Sequence, residues 1–107
     1  MDIVEWYYQQ IESVCNSGRE GAIVLADYTE ESFRSIRPDE DWHTYLSQRQ
    51  KLMLKLRGSK YRDRVRHMPI DDAEDFFSWL RINGMENNEA SRSTYAALRY
   101  QEERRGK

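Results

Sequence analysis

The stretch between Pro38 and Gly58 constrains the fold more than any other part of the chain. Its apolar residues recur at spacings of three and four, as in a helix with one buried face. They are Trp42, Tyr45, Leu46, Leu52, Met53 and Leu56. Proline interrupts the preceding pattern, and glycine favours a helix end. The sequence therefore predicts a helix over residues 40–57, with Asp39 as its N-cap and Leu54 on the opposite face.

Four further helices are predicted from apolar spacing and capping residues. They cover residues 2–16, residues 29–37, the segment from Asp71 or Asp72 to Gly84, and a last helix that starts at Asn87 or Asn88. The expected inner face of the last helix is Ala90, Thr94, Ala97 and Leu98. Residues 102–107 are polar all round and are expected to fray.

Two segments leave the fold class open between alternatives. Residues 22–26 form a short apolar run that fits a buried strand or a buried helix. We favour a helix, because a lone strand needs a partner. That partner would be residues 61–68, where polar and apolar residues partly alternate. The predicted fold is mostly α, a compact single domain over 1–107 with about five helices. The alternative is α+β, with a two-stranded element from residues 22–27 and 61–68.

The net charge of −2 hides a strong segregation along the chain. Residues 1–48 hold ten acids and three cations, and residues 71–107 hold eight acids and six cations. Residues 49–70 hold eight cations and one acid. A chain that binds nucleic acid along its whole length would be basic throughout. This pattern instead predicts one basic surface that meets an acidic partner or acidic segments of the same chain.

The sequence offers no constellation for catalysis or metal binding. Cys15, His43 and His67 are widely spaced, so they predict no zinc site. Cys15 lies on an apolar stripe, where cysteine acts as a small hydrophobe. The acids at 39–41 and 71–75 lie where helices begin, a place favoured for acids by the helix dipole rather than for magnesium. We therefore predict no enzyme, no metal and no cofactor.

Targeting features are also missing from the sequence. The single cysteine excludes an internal disulfide and is typical of a reducing compartment. The first ten residues lack the basic and apolar regions of a signal peptide. The apolar run at 22–26 is too short to cross a membrane. The expectation is a cytoplasmic protein without a membrane partner.

The segment FFSWLRINGMENNEASRSTYAALRY, residues 76–100, resembles part of a known family. It is similar to the helix-loop-helix end of the small helical domains that precede tyrosine-recombinase catalytic domains. The resemblance covers about a quarter of the chain. It implies a compact helical domain, and no site residue is carried over from it.

Two functional hypotheses follow from the charges and from the apolar residues outside the predicted stripes. The first is a non-enzymatic adaptor, inhibitor or regulatory protein that docks on another protein, of a kind common in phage and mobile elements. The alternative is a nucleic-acid-binding module that places residues 49–66 on the phosphate backbone. Both use the same predicted contact residues: Lys51, Leu54, Lys55, Arg57, Lys60, Arg62, Arg64 and Arg66. Secondary contacts are predicted at Trp6, Trp79 and Ile82.

Overall fold

A computed structural model describes residues 2–18 and 21–105. Within these residues the chain forms five α-helices, two strands and one 3₁₀ turn. In chain order they are α1 (Ile3–Asn16), β1 (Ile23–Tyr28), α2 (Glu30–Ile36), α3 (Trp42–Arg57), the 3₁₀ turn (Arg62–Arg64), β2 (Val65–Ile70), α4 (Ala73–Asn83) and α5 (Glu89–Arg105). The prediction of a mostly α fold is confirmed, and the alternative with a small sheet fits as well.

The two strands pair as a parallel two-stranded sheet. The helix favoured over residues 22–26 is therefore wrong, because residues 23–26 lie in β1. β-branched Ile23 and Val24 fit an extended backbone, and β2 overlaps the partner that the alternative placed at residues 61–68. β2 starts later than the alternative placed it, since Arg62–Arg64 form the 3₁₀ turn first.

Capping residues set several helix starts, and those at Thr29 for α2 and Asp72 for α4 are as predicted. The Asp2 carboxylate accepts a hydrogen bond from the Val4 amide at 2.9 Å and starts α1. Asp72 caps α4 in the same way. The cap predicted for α3 is wrong, because Asp41 and not Asp39 accepts from the Thr44 amide, at 2.8 Å. An N-cap must sit directly before the first helical residue, and α3 begins two residues later than predicted.

The chain divides into two compact units that are each built from separate stretches of sequence. The first unit, Met1–Ile23 with Glu40–Val65, is the pairing of α1 with α3. Its buried apolar side chains are Val4, Ile11, Leu52, Leu56, Tyr61 and Val65. The stripe predicted on α3 therefore does face a core, through Leu52 and Leu56.

The second unit, Val24–Asp39 with Arg66–Lys107, packs α2, α4 and α5 around two phenylalanines. Phe33 and Phe76 are fully buried. The Tyr95 ring on α5 meets the Phe76 ring edge-on, with centroids 5.1 Å apart. The inner face predicted for this helix is wrong, because Ser91, Tyr95 and Ala96 are buried while Leu98 is 42% exposed. The large Tyr95 ring gains more from burial than the alanines and leucine assigned there.

Residues 102–107 were predicted to fray. In the structure α5 continues to Arg105, and the side chains of residues 102–105 are exposed. Residues 106 and 107 lie outside the described part of the chain. The prediction of one domain over 1–107 stays a prediction.

Candidate docking surfaces

The solvent side of α3 carries a leucine between two cations. Leu54 is 63% exposed, as its place opposite the apolar stripe predicts. Lys51 and Arg57 are also exposed and lie three residues before and after it. Residues three apart on a helix are neighbours on one face. Neither cation forms an ion pair among the described residues. We call Lys51, Leu54 and Arg57 the α3 face.

Lys55 has a different role from its neighbours on α3. Its ammonium forms a salt bridge with Glu5 of α1. The same nitrogen lies 4.6 Å from the centroid of the Tyr8 ring. The hydrogen bond to Glu5 raises the pKa of Lys55 above its usual value. Lys55 therefore links α1 to α3, and its positive charge is balanced by the Glu5 carboxylate within the first unit.

The basic residues that follow α3 are held by several local contacts. Lys60 is exposed, with its ammonium 5.5 Å from the centroid of the Tyr61 ring. Arg62 is exposed beside Asp63, at 3.8 Å. Arg64 is half-buried and donates from Nε to the Gly21 carbonyl at 3.2 Å.

Arg66 lies on β2, is exposed and belongs to the second unit. Of the eight predicted contact residues, the structure thus brings Lys51, Leu54 and Arg57 onto one helix face. Lys55 and Arg64 serve contacts within the first unit.

Trp6 lies outside the apolar stripe of α1, as predicted, and is 41% exposed. Its ring meets the Tyr7 ring edge-on at 5.0 Å between centroids. This contact holds one side of the indole and leaves part of its surface in water.

The second unit has a groove between α4 and α5 with a volume of about 260 Å³. Each helix lines it with four residues at helical spacing: Asp75, Ser78, Trp79 and Ile82 from α4, and Tyr95, Leu98, Arg99 and Glu102 from α5. We call it the α4/α5 groove. Ile82 is 83% exposed and Leu98 is 42% exposed, so apolar surface lies open along it. Two of the predicted secondary contacts, Trp79 and Ile82, are brought together here.

An ordered aromatic cluster supports the groove. Tyr95 is 4% exposed, and its ring meets that of Trp79 edge-on at 5.4 Å between centroids. The Tyr95 hydroxyl donates a hydrogen bond to the Asp75 carboxylate. Burial and this hydrogen bond raise the pKa of Tyr95, so the hydroxyl keeps its proton. These contacts hold the Trp79, Tyr95 and Asp75 side chains of the groove against one another.

Sequence reasoning missed the α5 side of this groove. Leu98 was assigned to the core, and Tyr95 was assigned no role. The spacing of residues 95, 98, 99 and 102 matches that of 75, 78, 79 and 82 on α4. That matched spacing was a signal in the sequence, although it does not say which faces of two helices will meet.

One further polar pair joins the two strands. His67 Nδ1 lies 2.9 Å from an Asp27 carboxylate oxygen across the sheet. In residues 2–18 and 21–105, no three histidine, cysteine or acidic side chains converge to hold a metal ion. Across the same residues, no helix combines the length and apolarity that a membrane crossing requires.

Comparison with known proteins returned no relative: no family model, no curated protein and no solved structure matches this chain.

Proposed function

We propose that this chain is a non-enzymatic docking protein that binds an acidic surface of another protein through the α3 face. The observation that carries the proposal is Leu54, which is 63% exposed between Lys51 and Arg57. A single exposed leucine is common on protein surfaces. An exposed leucine with cations one turn to either side is an apolar contact inside a charged rim, as in many interfaces.

The apolar centre also distinguishes a protein partner from a nucleic-acid backbone. Phosphates reward positive charge alone, so Leu54 would add nothing to such a contact. Two acids also lower the positive charge that the basic segment 49–66 would offer to phosphates. Glu5 pairs with Lys55, and Asp63, with 92% of its side chain exposed, lies beside Arg62. Docking of this kind suits an adaptor, an inhibitor or a regulatory subunit.

Photo-cross-linking tests the proposal in the cells that encode the protein. A photo-activatable residue replaces Gln50, which is exposed and lies one turn from Leu54. We expect an adduct with one other protein. The adduct should be lost in Leu54→Gln and in the double variant Lys51→Glu with Arg57→Glu. It should persist in the matched control Lys60→Glu, which changes a charge outside the α3 face. The proposal would be overturned if no adduct formed, or if the adduct still formed at the same yield in Leu54→Gln.

Nucleic-acid binding is the second candidate, favoured by the exposed cations Lys60 and Arg62 beyond the end of α3. Gel mobility shift with a mixed-sequence DNA duplex and a single-stranded RNA tests it at two salt concentrations. Binding to phosphates would weaken steeply with salt. It would be lost in Lys60→Glu with Arg62→Glu and unchanged in Leu54→Gln. That pattern would replace protein docking as the function.

A further inference from the structure

We infer that the α4/α5 groove receives the α3 face of a second copy of the chain. The inference rests on the proposed function, since it uses the α3 face as a docking face. It adds that a second copy and the external protein partner compete for this face. Binding of either one excludes the other.

The size and shape of the groove fit a helix face rather than a small molecule. Its volume of about 260 Å³ lies just below the roughly 300–1,000 Å³ of small-molecule pockets. Each wall spans eight residues, from 75 to 82 and from 95 to 102, and the seven rises between its ends cover about 10 Å at about 1.5 Å each. The α3 face, from Lys51 to Arg57, spans about 9 Å on the same scale. Grooves between helices accept side chains at such spacings from a docked helix.

The two surfaces also match in polarity. Leu54 offers exposed apolar surface on the α3 face. The groove offers matching apolar surface on Ile82, Leu98 and part of Trp79. Burying apolar area on both sides is the general driving force for association. No polar group of either helix backbone has to lose a hydrogen bond, because both surfaces are sides of regular helices.

Charge identifies the occupant as this chain's own α3. The groove is lined by two carboxylates, Asp75 and Glu102, and by one guanidinium, Arg99. Arg99 lies 3.9 Å from Glu102 and is partly neutralised by it. Asp75 accepts a hydrogen bond from the Tyr95 hydroxyl and forms no ion pair among the described residues. The α3 face brings two cations around an apolar centre, the complement of an apolar groove with excess negative charge.

The contact joins unlike surfaces, so it is heterologous. Two copies that exchange both contacts would close a dimer. Copies that pass the contact on would form short chains. The closed dimer covers both α3 faces, and an open chain covers every α3 face except the one at its end.

Charge exchange between two variants tests the contact directly. One variant reverses the α3 face with Lys51→Glu and Arg57→Glu. The other reverses the groove charge with Glu102→Lys. Its matched control is Glu103→Lys, which changes the neighbouring exposed residue outside the groove. Sedimentation velocity on the purified full chain, from dilute to concentrated, measures association.

We expect wild type and Glu103→Lys to associate with rising concentration. Each reversed variant alone should associate at least tenfold more weakly, and an equal mixture of the two should recover association. Wild type that stays monomeric at the highest concentration would overturn the inference, as would equal effects of Glu102→Lys and Glu103→Lys. A monomer that still gives the Leu54-dependent adduct at position 50 leaves the proposed function intact. Self-association without any adduct to another protein overturns the proposed function, and with it the competition, but leaves the contact between copies intact.

Discussion

Replacing Leu54 with glutamine separates docking from stability at one position. The side chain is 63% exposed, so a partner that covers it buries about two thirds of its surface anew. Full burial of a leucine stabilises by about 1.5–3 kcal/mol, so the loss on Leu54→Gln is about 1–2 kcal/mol of docking free energy. The dissociation constant should therefore rise about five- to thirtyfold.

The free energy of unfolding should barely respond to the same change. Leucine and glutamine have similar helix propensities, and exposed substitutions usually change stability by less than about 0.5 kcal/mol. Urea denaturation followed by tryptophan fluorescence measures stability, and sedimentation measures self-association. A loss of stability above about 1 kcal/mol would show that Leu54 supports the core of the first unit. An unchanged dissociation constant would show that Leu54 takes no part in the contact between copies.

Three further changes test the second unit. Phe33→Ala should lower the free energy of unfolding by about 3–5 kcal/mol, because Phe33 is fully buried; a loss below about 1 kcal/mol in urea denaturation would contradict that packing. Thr29→Ala removes the acceptor of the α2 capping box and should cost about 1 kcal/mol, whereas Thr29→Ser should cost less in the same assay. Burial raises the pKa of Tyr95 above 10.0, so its stabilising effect is complete below pH 10 and is lost as the pH rises towards the folded-state pKa. Tyr95→Phe should flatten the alkaline fall in stability only in part, because burial also raises the pKa of Tyr28 and of Tyr61; an identical alkaline profile would refute the contribution of Tyr95.

The parts of the fold that depend on neighbouring residues could be predicted from the sequence. The caps at Asp2, Thr29 and Asp72, and the turn at Gly84 with its left-handed φ of 62°, act within a few positions along the chain. The β1–β2 pair was predicted only as an alternative, from the partial alternation of polar and apolar residues over 61–68. Its strands are separated by two helices, so residues 22–26 alone do not decide between a strand paired with that segment and a buried helix.

The same distinction between local and tertiary features separates the two candidate surfaces. The α3 face is a property of one helix, and its three residues were all among the eight contact residues predicted from the sequence. The α4/α5 groove depends on how two helices meet. Trp79 and Ile82 were therefore identified singly, and Leu98 was assigned to the wrong side. The bonds of Lys55 to Glu5 and of Arg64 to Gly21 are tertiary contacts, which no local pattern encodes.

The interleaving of the two units has a consequence for synthesis on the ribosome. Each unit takes one stretch from the first forty residues and one from later in the chain. The first unit has all its residues once Val65 leaves the exit tunnel. At that point α2 and most of β1 have been synthesised, but α4 and α5 of the second unit have not. A nascent chain of that length would expose the face of Phe33 to water and to chaperones. For the same reason, no single cut of the chain separates the two units into different fragments.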